Sequence, residues 1–188
     1  MARSEGKAAR RQGRVRHRGN VTIGVRRKQT IVLVLSAVVV AGVVGYFAYR
    51  AAADLPGLKM ADQGNLHIPS ETTAHEAYNS DPPTSGPHLP YIAPWGVHTR
   101  PIARELQVHN LEDGGVVVQY NCECPDVVAR LRDIVNAYDR YVVLAPYPGM
   151  KSRIALTAWT RIETMDQVDE ARVRRFIDAY RGIDHHKK

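Results

Sequence analysis

The sequence predicts an α+β protein made of one N-terminal transmembrane helix, a Pro-rich arm and a small domain in the order β-α-β-β-α. Three observations predict it. Residues 29–49 carry no charge, residues 50–100 are dense in proline, and from residue 101 onward apolar residues recur with strand and helix periods. The expected organisation is a basic cytoplasmic tail over 1–28, the membrane helix over 29–49, an extracytoplasmic arm over 50–100 and a globular domain over 101–184.

The apolar run reads QTIVLVLSAVVVAGVVGYFAY and is bounded by Lys28 and Arg50. As a helix rising 1.5 Å per residue it would span about 32 Å, enough for a hydrocarbon core of roughly 30 Å. Tyr46, Phe47 and Tyr49 crowd its far end, where aromatic rings favour the boundary between lipid and water. A cleaved signal peptide begins in a similar way, but its apolar region is only about 7 to 15 residues long. Ten basic residues precede the run and only Arg50 and Lys59 follow it closely, so the expected location is the cell membrane, single-pass, with the N-terminus cytoplasmic and the C-terminal domain outside. The first expected partner is therefore the lipid bilayer.

The net charge of +7 suggests a nucleic-acid protein until it is divided by region. Residues 1–28 hold ten of the 26 basic residues and one of the 19 acidic ones, which leaves 16 against 18 for the rest. The body is slightly acidic. The tail has no aromatic residue on which bases could stack, so no nucleic-acid partner is expected.

Pro56, Pro69, Pro82, Pro83, Pro87, Pro90 and Pro94 remove backbone donors from the stretch after the helix, which predicts an extended arm or a set of ordered loops. Regular structure is expected from about Glu105. Val116, Val117, Val118, Gln119 and Tyr120 read as a β-strand after Gly114 and Gly115. Pro125 suits the first turn of a helix through Asn136, with Val128, Leu131, Ile134 and Val135 at helical spacing. Two strands, 141–145 and 154–160, follow around the turn Pro148-Gly149, and Thr164 with Gln167 suggests a capping box for a last helix that Gly182 stops.

Cys122 and Cys124 stand as Cys-x-Cys between a strand and a helix start, where the helix dipole favours a thiolate. A disulfide between them is the plain alternative outside the cytoplasm, although it closes too small a loop to add much stability. Two thiolates with imidazoles suit copper or zinc, copper first. His88, in PPTSGPH, and His109, in ELQVHNLE, complete the expected metal set of His88, His109, Cys122 and Cys124, with Glu105 and Glu112 nearby; His98, in WGVH, is a further candidate. His67 and His75 are expected to be solvated, and His185 with His186 to be a free end of no fixed geometry. Hydrolase signatures are missing: Ser85 lacks a nucleophile elbow, and there is no phosphate-binding glycine loop or His-Glu-x-x-His pair. No catalytic residue is assigned.

The series PPTSGPH, WG, E-x-x-V-H-N-L-E-x-G-G-V-V-x-Q-Y and AW followed by FIDAYRG resembles the bacterial family called Domain of Unknown Function 3105 over about residues 78–182. The resemblance implies a membrane-anchored extracytoplasmic domain and assigns no activity. The family usually has a histidine directly after the glutamate where this chain has Asp113, so a ligand at that position would be replaced here, with Cys122 and Cys124 as the replacement. The expected function is metal handling by a tethered domain. The alternatives are an accessory subunit, partnered by other membrane-complex subunits, and a thiol-disulfide protein using the two cysteines.

Overall fold

The computed structural model describes residues 19–186. The basic tail expected over 1–28 lies mostly outside the described residues. Two compact units divide the chain, residues 1–54 and 55–188.

The first unit is built on α1 (Gly19–Ala53), which contains the apolar segment Arg27–Arg50 with every described side chain exposed. By length and composition this helix could cross a membrane or serve as a signal sequence. Leu33, Val34, Val39, Val40, Phe47 and Tyr49 are all more than half exposed, and a helix apolar all round has no polar face to turn toward water.

The second unit is α+β, with β1 (Leu58–Lys59), β2 (Gly96–Val97), α2 (Arg104–Glu112), β3 (Val116–Tyr120), α3 (Pro125–Val135), β4 (Val142–Pro146), β5 (Ile154–Ala158), β6 (Arg161–Met165) and α4 (Glu170–Tyr180). The six strands form one sheet in the order β1-β6-β5-β3-β4-β2. β3 and β2 run parallel to β4, while β5 is antiparallel to β3 and β6. The parallel pair β3–β4 needs a crossover, and α3 supplies it.

Both faces of the central strands are covered, which is why they read as unbroken apolar runs rather than alternating ones. On one face Val116, Val118, Leu144 and Leu156 pack with Leu131 and Ile134 of α3 and with Val173, Phe176 and Ile177 of α4. On the other face Val117, Val143, Ala145 and Trp159 meet Val108 and Leu111 of α2, with Tyr78, Trp95 and Ile102 around them.

The compact unit begins at Leu55, so it takes in the Pro-rich stretch expected as an arm over 50–100. Residues 82–89 are buried throughout. The prolines cannot donate, and their non-proline neighbours carry the bonding instead: Thr160 N–H donates to Thr84 O, Gly86 N–H to Gly64 O, and Leu89 N–H to Glu105 O. The structure also moves the start of the last helix. Thr164 lies in β6, which turns back from β5 through Trp159 and Thr160, and α4 is capped by Asp169, whose carboxylate accepts from Arg172 N–H at 3.1 Å.

Candidate metal centre

α2 packs six consecutive buried residues, Gln107 to Glu112, into the second face of the sheet. His109 and Glu112 are three apart and so share a helix face. The helix stops hard after Glu112. Gly114 takes a left-handed φ of 81°, its N–H donates to Leu111 O, and Gly115 N–H donates to Asn110 O at 2.7 Å, leading straight into β3. Asn110 fixes the helix to the loops by exchanging two 2.9 Å hydrogen bonds with the backbone of Ala93.

His88 arrives from the buried SGPH segment. Its N–H donates to Leu66 O and its carbonyl accepts from Ile68 N–H, a short parallel bridge that sets His67 beside His88 with their rings 4.9 Å apart. Backbone pairing thus recruits a histidine that nothing in its sequence context marks.

The side chains converge on one carboxylate oxygen. Glu112 Oε2 stands 2.9 Å from His88 Nε2, 3.4 Å from His186 Nε2, 3.5 Å from His67 Nε2 and 3.8 Å from His109 Nδ1. The other oxygen, Oε1, accepts from Asn65 Nδ2 at 2.6 Å. The ligand atoms of His67, His88, His109 and Glu112 all lie within 4.8 Å of one another, and all but His67 are buried. A tetrahedral ion with bonds of about 2.0–2.1 Å separates its ligand atoms by about 3.3 Å, so small side-chain movements would close these four around a cation.

The proton count favours a cation too. His88 Nδ1 is 2.7 Å from Gly86 O, which can only accept, so this nitrogen carries a proton. A neutral ring then presents the lone pair of Nε2 to Glu112 Oε2. That close contact needs a second proton or a positive ion between the atoms. Burial pushes the Glu112 carboxyl up, yet the hydrogen bonds from Asn65 and His88 outweigh it and hold the group below its ordinary range, as a carboxylate. His109 is held below the usual imidazole value, mainly by burial against the opposing pull of Asp113, and its Nδ1 is buried with no hydrogen-bond partner. An orphaned buried nitrogen costs about 1–3 kcal/mol. A buried carboxylate, imidazole nitrogens that converge on it and a His109 Nδ1 with no partner form a donor set that could hold a metal ion.

The structure brings His88 and His109 together and leaves the two cysteines apart from them. Cys122 and Cys124 are bonded to each other in the loop between β3 and α3, past the end of β3 opposite to Glu112, so neither sulfur is a free thiolate. Nor do they stand in for a ligand at Asp113, which itself lies beside His109. His98 bonds through Nε2 to Pro94 O at 2.7 Å, and His75 Nδ1 bonds to Glu76 O. His67, expected in solvent, is 44% exposed but aims Nε2 into the cluster.

The expected free end is also placed differently. Gly182 N–H donates to Gly114 O, His185 N–H donates to Glu112 O at 2.8 Å, and the His185 ring stacks on Trp159. These contacts hold His186 against the cluster. Glu112 was legible as half of a His-x-x-Glu pair once a helix over 104–112 is assumed, whereas the polar content of that segment hides the helix.

No curated protein and no solved structure matches the chain. One family does, over residues 70–188, a span that takes in His88, His109, Glu112 and His186 and starts three residues after His67. More than half of the chain is covered, and the chain belongs to this family, described as Protein of unknown function (DUF3105).

Proposed function

We propose that this protein is a membrane-tethered, extracytoplasmic domain that binds a divalent transition-metal ion and takes part in metal handling. The observation that carries the reading is the convergence of His67, His88, His109 and Glu112 on one buried point, with both ring nitrogens of His88 facing acceptors. The sequence alone favoured copper through two thiolates. With both sulfurs in a disulfide the donor set becomes three imidazoles and a carboxylate, which suits Zn(II) or Cu(II) and not the soft Cu(I). Tethering and orientation rest on the apolar Arg27–Arg50 helix and the basic residues before it.

The test is a melting experiment on the full chain in mild detergent with one equivalent of Zn(II) or Cu(II). An ion bound only by the folded state must raise the melting temperature, and His88→Ala must abolish the rise. If neither ion moves the parent's transition, the reading fails.

A second reading, thiol-disulfide exchange, is favoured by the Cys122–Cys124 bond beside the start of α3. It requires that dithiothreitol reduce the pair and that the oxidised form pass its disulfide to a reduced peptide. Inertness toward both reagents would eliminate it.

A further inference from the structure

Four imidazoles, not three, surround Glu112 Oε2. His186 Nε2 is 3.4 Å away, marginally closer than His67 at 3.5 Å. We propose that His186 is a further ligand of the metal, carried on a C-terminal strap, and that the ion exchanges with solvent through the face that this strap covers. The inference rests on the metal-binding reading above.

Three independent contacts build the strap. Its backbone is tied to the end of α2, through Gly182 N–H to Gly114 O at 2.7 Å and His185 N–H to Glu112 O at 2.8 Å. The approach is so close that a Cβ on Gly114 would sit 2.7–2.8 Å from the backbone of Ile183. The His185 ring lies nearly parallel on Trp159, with centroids 5.8 Å apart and planes 18° off. The third contact orients the ligand itself. Asp184 Oδ1 accepts from His186 Nδ1 at 2.7 Å and from His186 N–H at 2.8 Å. A carboxylate on one ring nitrogen fixes tautomer and orientation and leaves the other nitrogen free for a metal. The free nitrogen is Nε2, the one that faces Glu112.

Burial gives the direction of access. Side chains of His88 and Glu112 are fully buried and that of His109 nearly so, whereas His67 is 44% and His186 43% exposed, so the cluster meets solvent at these two rings. Of the two, His186 is the one carried on the strap. Two backbone hydrogen bonds and one ring stack hold the strap, so lifting it breaks few contacts. With His186 the set becomes four nitrogens and one oxygen, a five-donor arrangement open to Cu(II). His109, Asp113 and His186 also gather their ligand atoms within 4.8 Å, which makes a separate outer ion the competing assignment.

The experiment loads the full chain in detergent with Cu(II), counts bound ions by equilibrium dialysis, and counts coupled imidazole nitrogens by electron spin-echo modulation. The expected parent binds one ion with four imidazoles. His186→Ala should keep the ion but show three imidazoles, bind at least about 10-fold more weakly and release copper to a chelator faster, and added free imidazole should restore the four-imidazole spectrum. An unchanged imidazole count and release rate in His186→Ala would overturn the proposal. So would two ions in the parent with one lost in His186→Ala, which assigns His186 to an outer site. No bound ion in the parent, by contrast, sinks the metal reading itself, while one ion with three imidazoles in the parent sinks only the strap ligand.

Discussion

In the metal-binding reading, Glu112 is a cost to the ion-free fold and a ligand in the loaded one. Its carboxylate is fully buried and is balanced by hydrogen bonds with Asn65 at 2.6 Å and with His88 at 2.9 Å. Glu112→Gln keeps the shape and can still accept from Asn65, but it removes the charge. Affinity for Zn(II) should fall by at least about 100-fold, beyond the 10- to 100-fold typical of changes outside the first ligand sphere, while the metal-free melting temperature should be no lower than the parent's. Paired titration calorimetry and melting curves check both halves. Asn65→Ala, which frees Oε1, should fall within that smaller range.

Acid should act on the metal-free protein with a definite sign. His109 lies below its ordinary 6.5 in the folded state, so as pH falls the unfolded chain binds this proton first and stability declines below about 6.5. Glu112, held below its ordinary 4.5, contributes stability above about 4.5 that is lost as pH falls through its folded value. Both shifts point the same way. His186, raised by its bond to Asp184, opposes them weakly because it is exposed. Urea denaturation of the His186→Ala chain at about pH 7.5, 5.5 and 3.5 should show two successive losses, and a stability that rises on acidification would contradict the assignment. At this scale the sequence disclosed His88 and His109 through their motifs. His67 stayed hidden because it reaches the cluster by pairing with residue 88 and not by any local pattern.

Among the elements, unbroken apolar runs made β3, β4 and β5 readable and helical spacing did the same for α3 and α4, whereas misleading polarity concealed α2 and β6. α2 buries Gln107, His109, Asn110 and Glu112, so its inward face is as polar as an exposed one and its sequence carries no amphipathic signal. β6 is mostly half-exposed and looked like a helix start, since Thr164 and Gln167 imitate a capping box three residues apart. The hinge between α2 and β3 carries a prediction of its own. At Gly114 a side chain would meet both a left-handed backbone and the Ile183 peptide. Gly114→Ala should destabilise the protein by about 1–3 kcal/mol and speed hydrogen exchange at the Gly182 and His185 amides. If those two amides keep parent protection, the α2 terminus does not hold the strap.

For the whole molecule, the tethered reading proposed above orders the chain from inside to outside as basic residues, apolar helix and compact unit. Protease added to intact cells should remove residues beyond about 50 and leave the N-terminal fragment protected, as fragment masses would show. Survival of the compact unit would reverse the orientation. The bonding of residues 182–185 to the end of α2 also bears on how this protein must be handled. Anything fused after Lys188 begins three residues after His186, whose ring faces Glu112. A polyhistidine tag placed there would offer rival imidazoles at high local concentration and compete for any ion in the cluster. Purification handles therefore belong at the N-terminal end, and metal contents measured on C-terminally tagged protein would report the tag as much as the site.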